Sequence, residues 1–355
     1  MAALWALSTS PLDPETSSRI ARRCESPSSD IAIHPDYGLA NRTSEQSGST
    51  ARHNDWVPQH RPTKPTMSPS RIETGPVSIA VQDWGGDGHP TLLAHATGFH
   101  GVTWKPVAER LVAAGRHVWS FDFRGQGESD SSPDGYSWEG FADDVLTVVD
   151  ALGLSGNPEL LGVGLSKGAT ALLLAQLRKP DAFGYLYCFE PIVFPFDAAL
   201  PHPDANPLAA GALKRRAVWE STDQALASFG ARPPLGVLHP DALRAYVEYG
   251  LRGMSDGSFS LKCAPEVEAA IYSMSLSHGA FGRLGEIAIP VAVVSGETTN
   301  ALTPKFAALV ADGLINGHLE VMPGLGHFGP LENPDTVVAS ILRFASEYRQ
   351  GRKAL

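Results

Sequence analysis

The sequence predicts an α/β fold, a mostly parallel sheet with helices on both faces. Three observations point there. From Val77 onward short apolar runs alternate with longer stretches of helical period, as expected of strands buried on both faces and joined by crossover helices. A Gly-Leu-Ser-Lys-Gly turn, Gly164 to Gly168, joins one such run to one such helix. The alternation stops between Glu190 and about Glu286, then resumes at Pro290.

Residues 1–66 are rich in Ser, Thr, Pro, Arg and His without a sustained apolar period, and are expected to be disordered. Met1 to Leu7 has no basic flank and too short an apolar core for a secretory signal. Two origins stay open for the segment: a translation start at Met67 that makes it a misassigned extension, or a flexible arm. The first plausible strand is Val77–Gln82, and Leu92–Leu93 runs into the loop His95-Ala96-Thr97-Gly98. Phe141, Val145, Val148, Val149 and Leu152 recur at helical spacing, so Trp138–Leu152 is expected to be a helix with one buried face. Leu160–Val163 reads as a strand, Ala169–Ala175 as a helix, and Gly184–Phe189 as a strand ending at Glu190-Pro191. Asn206–Glu220 and His239–Arg252 look helical, separated by the breaker Arg232-Pro233-Pro234-Leu235-Gly236. Pro290–Ser295 and His318–Met322 read as strands, and Pro334–Tyr348 as a closing amphipathic helix.

The Gly164–Gly168 turn carries the chemistry. A serine at a sharp strand-to-helix turn stands above the sheet edge, with flanking glycines expected to let the backbone take the strained turn without a Cβ clash. Ser166 is therefore the candidate nucleophile. A serine needs a base, and His327, in Gly324-Leu325-Gly326-His327-Phe328, lies on a Gly-rich loop after the last predicted strand. Eleven other histidines lack that setting, the chain holding 12 in all.

From about Met67 to the C-terminus these motifs resemble the α/β-hydrolase superfamily. Leu92 to Phe99 looks like the loop after the third strand, usually His-Gly-x. Phe121-Asp122-Phe123-Arg124-Gly125-Gln126-Gly127-Glu128-Ser129 looks like the Asp-x-Arg-Gly-x-Gly-x-Ser segment after the fourth. The resemblance implies a nucleophile elbow at Ser166 and a His327 base. It also implies an oxyanion hole from the Thr97 and Lys167 backbone N–H groups, with Ala96 replacing the usual glycine. The Lys167 side chain is expected in solvent or in an ion pair, with contact to an anionic substrate group as the alternative.

The chain departs from the family at the triad acid. Threonine, Thr299, occupies the aspartate position after the seventh strand, in Gly296-Glu297-Thr298-Thr299. Some haloalkane dehalogenases carry a glutamate at the end of the sixth strand, in a setting comparable to Glu190-Pro191-Ile192. That resemblance implies Glu190 as the acid, ahead of Glu297. Those dehalogenases use an aspartate nucleophile. A serine suits acyl transfer instead.

The implied organisation is a disordered 1–66, an α/β-hydrolase core over 67–190 and 287–355, and a helical cap over 191–286 inserted between strands six and seven. Phe194, Phe196, Trp219, Tyr246, Tyr249, Tyr272 and Met274 are candidate lining of an apolar pocket under that cap. The expected activity is a serine hydrolase cleaving an ester or lactone of a small, largely apolar substrate through an acyl-enzyme. C–C bond hydrolysis or perhydrolysis on the same triad, and non-catalytic small-molecule binding, are the alternatives.

Composition bounds the rest. A formal charge of −10 argues against a nucleic-acid partner. No apolar stretch is long enough to span a bilayer. Cys24, Cys188 and Cys263 lack metal-ligand spacing, so reduced thiols and a cytoplasmic location are expected. No His/Asp/Glu metal spacing or Gly-x-Gly-x-x-Gly fingerprint appears, so no metal or cofactor is expected.

Overall fold

The computed structural model describes residues 69–75, 77–195 and 206–353. The predicted disorder of 1–66 and the candidate Phe196 lie outside the described residues. The described chain runs β1 (Ser70–Glu73), β2 (Ser78–Gly85), β3 (His89–Ala94), α1 (Lys105–Ala113), β4 (Arg116–Phe121), α2 (Trp138–Ala151), β5 (Leu161–Leu165), α3 (Lys167–Arg178) and β6 (Tyr185–Phe189). After a long insertion it continues with β10 (Pro290–Gly296), α8 (Pro304–Gly313), β11 (Asn316–Met322), the single turn α9 (Gly329–Glu332) and α10 (Pro334–Lys353).

These strands form an eight-stranded sheet in the order β1-β2-β4-β3-β5-β6-β10-β11. Its first two pairings, β1 with β2 and β2 with β4, are antiparallel, and the others are parallel. The central strands β5 and β6 are buried at every position, which is why they read as unbroken apolar runs rather than alternating ones. The first strand read from the sequence, Val77–Gln82, is thus the second of the sheet. The earlier β1 is four mostly exposed residues with no apolar pattern to reveal it.

Parallel register positions the site. Leu165, the last residue of β5, pairs with Phe189, the last of β6, and Phe189's other neighbour on β10 is Val294. Gly296 at the end of β10 pairs with Met322 at the end of β11. The carboxyl ends of four strands therefore open on one edge, where parallel sheets place their ligands.

Between β6 and β10 the chain leaves the sheet. It forms α4 (Pro207–Leu213), β7 (Val218–Trp219), α5 (Thr222–Gly230), α6 (Pro240–Gly250), β8 (Leu251–Gly253), β9 (Phe259–Leu261) and α7 (Pro265–Ser273). The helical expectation for Asn206–Glu220 is corrected here. Its helix ends at Leu213, and Trp219 pairs antiparallel with Phe259. The expected helix His239–Arg252 likewise stops at Gly250, because Leu251 pairs with Leu261. Strands of two or three residues owe their conformation to a partner distant in sequence, so no local period announces them. Helices α4 and α7 meet through small residues, Ala209, Ala212 and Ala269, with Tyr272 packed against them.

Candidate active site

Ser166 caps α3 with φ 56° and ψ −117°. Its N–H donates to the Phe189 carbonyl at 2.9 Å, which pins the turn to β6. The strain sits on the serine itself. Gly164 and Gly168 are outside the left-handed region and serve close approach instead. A Cβ on Gly168 would lie 2.2 Å from the Ala94 carbonyl oxygen, and one on Gly164 would lie 2.5 Å from Ala169 Cα. The glycines therefore serve the turn as expected, by sparing a Cβ clash, while the positive φ falls on Ser166.

Glu190 continues β6 with φ 48° and is fully buried. Among the described residues Ser166 and Glu190 are the only non-glycine positions with positive φ. Such strain costs on the order of 1–3 kcal/mol and persists where the surroundings impose it. The surroundings of Glu190 are visible. Oε1 accepts from the Gly296 N–H at 2.9 Å, and Oε2 from the Thr299 hydroxyl at 2.8 Å. Oε2 also lies 2.6 Å from His327 Nδ1. A carboxylate oxygen only accepts, so Nδ1 is the donor, and in the neutral imidazole Nε2 is then the acceptor. Thr299, at the position where the family carries aspartate, thus donates its hydroxyl to Glu190.

Glu297 is elsewhere. Its side chain is exposed and accepts the Gly324 N–H at 3.0 Å, bracing the loop that leads to His327.

Ser166, His327, Thr97 and Lys167 line one cavity of about 140 Å³, mostly apolar, with Trp138, Ile192, Leu208 and Tyr272 among its other walls. No described group accepts from the Thr97 or Lys167 amide. Ala96 is not in the left-handed region, whereas Gly98 is, at φ 77°. Replacing the usual glycine by Ala96 thus leaves the loop unstrained at that position. His95 clamps this loop. Its Nδ1 lies 2.7 Å from the Ala96 carbonyl, and its Nε2 accepts the Phe123 N–H at 3.0 Å. Burial, foremost, holds the His95 imidazole well below its ordinary value, consistent with that neutral role. The Gly98 N–H goes to Gln126 Oε1 at 2.9 Å, so Gln126 also fixes the loop.

Lys167 corrects a second expectation. Its side chain is neither solvated nor in an ion pair. The residue is 2% exposed, and Nζ lies 3.9 Å from the Phe123 ring centroid and 4.6 Å from that of Phe141. Nζ has no hydrogen-bond partner, and burial pushes the ammonium down to about 7.

Of the aromatic candidates, Tyr272 lines the cavity over Ser166, and Trp219 and Tyr246 line its neighbour. Phe194 packs on Phe306, 5.4 Å between centroids, and the Met274 carbonyl accepts the Trp138 indole N–H at 2.8 Å. Tyr249 lies against a small separate cleft. Trp138 starts a helix in the sequence pattern, and its place in the cavity wall has no sequence signal. Among the described residues no group of three His, Cys, Asp or Glu side chains is arranged to hold a metal ion. No described helix is long and apolar enough to cross a membrane. The described cysteines, Cys188 and Cys263, are buried free thiols.

The model of the alpha/beta hydrolase family matches residues 91–340. The chain belongs to this family. The hydrolase is 24% identical over 281 residues to a non-heme chloroperoxidase of Burkholderia pyrrocinia, covering 76% of this chain and 96% of that protein. It is equally similar, 24% over 281 residues with the same coverage, to a bifunctional esterase/perhydrolase of Acinetobacter calcoaceticus. The crystal structure of an E-2-(acetamidomethylene)succinate hydrolase superposes with a TM-score of 0.67 at 21% identity, over 78% of this chain and 98% of that one. At that identity the superposition speaks for the fold.

Proposed function

We propose that this hydrolase cleaves a carboxylic ester or lactone through a covalent acyl-enzyme on Ser166. The observation that carries the reading is the 2.6 Å contact of His327 Nδ1 with a buried Glu190 that, with Ser166, is one of the two non-glycine residues at positive φ among the described residues. His327 Nε2 takes the proton as Ser166 Oγ attacks the carbonyl carbon. The oxyanion draws on the two unused amides of Thr97 and Lys167. The imidazolium, stabilised by Glu190, returns its proton to the leaving alcohol. Water then attacks the acyl carbon with His327 again as base, releasing the acid and regenerating Ser166. The small apolar cavity favours a short, apolar group at the scissile bond.

A similar protein described as a bifunctional esterase/perhydrolase favours a second reading on the same intermediate, in which hydrogen peroxide replaces water and a peracid leaves. Labelling with a fluorophosphonate probe, followed by peptide mapping, tests the shared step. Modification at Ser166 that is lost in His327→Ala is expected. A folded protein that stays unlabelled, while small neutral esters remain intact, would sink the reading.

A further inference from the structure

Beside the cavity over Ser166 lies a larger one of about 340 Å³. Thr97, Pro234, Tyr272 and Phe328 line both, so the two adjoin. Four cations, Lys214, Arg215, Arg216 and Arg232, line the larger cavity against a single carboxylate, Glu268. That carboxylate is engaged. It pairs with Arg215, whose Nη2 donates to the Tyr246 hydroxyl at 2.6 Å. A Cβ on Gly98 would come within 2.6 Å of Glu268 Oε1, so this pair backs the loop that carries Thr97. Arg216 is held as well, 4.2 Å above the Trp219 ring and donating to the Val218 carbonyl and Gln224 Oε1, both at 2.8 Å. Lys214 and Arg232 differ. Both are exposed, and among the described residues neither side chain has a hydrogen bond or ion pair.

An exposed cation is ordinarily solvated and contributes little. Placement argues for more here. The chain carries a formal charge of −10, yet four positive groups gather on one concave wall next to the nucleophile. Lys214 follows α4 and Arg232 follows α5, so separate elements converge on the same opening. Glu268 offsets one of the four, and the remaining excess of like charge costs repulsion that a bound anion relieves and concentrates counter-ions in the concavity.

We infer that the larger cavity receives an anionic group, a carboxylate or phosphate, carried on the substrate remote from the scissile carbonyl, with Lys214 and Arg232 selecting for it. The inference rests on the hydrolase reading and adds a substrate class to it. The ester would present a short apolar stretch to Ser166 and its charge to the solvent side, where desolvation is cheap.

Paired p-nitrophenyl esters test it: the glutarate half-ester, which ends in a carboxylate, against the neutral hexanoate. Wild type is expected to favour the half-ester in kcat/KM, and 0.5 M salt to erode that preference by screening. Lys214→Ala and Arg232→Ala should each lower the half-ester to hexanoate ratio about threefold, mainly through KM, and the double variant about tenfold. Competitive inhibition by inorganic phosphate but not by glutarate would assign the group as a phosphate. A preference for hexanoate in wild type without inhibition by either anion, or a double variant that keeps the wild-type ratio, would overturn the inference. Binding of glutarate and of phosphate to Ser166→Ala, measured by calorimetry, separates the two readings. Anion binding that needs Lys214 and Arg232 without turnover of any ester would refute the hydrolase and keep the subsite. Turnover of esters without anion binding would do the reverse.

Discussion

Both oxygens of Glu190 are occupied by donors, from Gly296 and Thr299 as well as His327, whereas Glu297 spends its carboxylate on the Gly324 amide. The two glutamates therefore predict different losses. Glu190→Gln puts an N–H or a weaker acceptor against His327 Nδ1 and should lower kcat about 10²–10⁴-fold. Glu297→Gln keeps an acceptor for Gly324 and should leave kcat near wild type. Steady-state kinetics on one ester decides, and a crippled Glu297 variant beside an active Glu190 variant would reverse the assignment. Lys167 predicts a pH effect. Burial lowers its ammonium from 10.5 to about 7, so between those values the unfolded chain binds a proton that the folded chain does not. Stability due to this residue then rises with pH across that window, and below about 7 the folded state carries a buried charge at a cost of a few kcal/mol. Lys167→Met should be more stable than wild type at pH 6, with the advantage shrinking toward pH 10. A melting-temperature difference that does not change with pH would show that the aromatic rings offset the burial.

At the scale of elements, what the sequence reveals and what it hides divide on whether the cause is local. The strands β2, β5, β6 and β10 and the helix α2 are legible because each is an apolar run or period that its own residues carry. The turns bearing Ser166 and His327 are legible for the same reason, since serine between glycines and histidine in a Gly-rich loop are local turn chemistry. Glu190 is only half legible. The vacancy at Thr299 can be read along the chain, but the hydroxyl that replaces the aspartate by holding Glu190 needs β6 beside β10. The insertion is the least legible part. Its strands β7, β8 and β9 exist by pairing across up to 42 positions, as in Val218 with Ser260, and neither partner has a period of its own. Lys214-Arg215-Arg216 is visible as a charge run, but its meeting with Arg232 depends on how α4 and α5 are placed.

For the whole molecule the carboxyl edge of the sheet is only part of the candidate site, because the insertion supplies Leu208 and Tyr272 to the cavity that Ser166 lines. How firmly the insertion rests on the sheet decides how that wall is held. Leu238, Tyr246 and Val247 share one apolar core with Phe99, Trp104 and Val107, and polar ties add to it: Trp138 Nε1 to the Met274 carbonyl at 2.8 Å, the His239 N–H to the Leu331 carbonyl at 2.7 Å, His100 Nε2 against the Tyr246 carbonyl at 3.2 Å, and Lys262. Lys262 pairs with Glu128, in the loop after β4, while donating to the Tyr249 carbonyl at 2.7 Å. Its own side chain is 9% exposed but that of Glu128 is 45% exposed, so the pair is only partly shielded from solvent and its loss is modest. Lys262→Met keeps the apolar stem and removes the tie, a loss of about 1 kcal/mol. A loss of that size confined to one contact region raises the open population of the insertion about fivefold, with little effect on unfolding of the sheet. Limited proteolysis should then cut within 206–286 severalfold faster, and KM for the ester should rise, with the main unfolding midpoint nearly unchanged. Equal cleavage rates in variant and wild type would mean that the insertion is held by its apolar packing, and that the cavity wall over Ser166 does not depend on this ion pair.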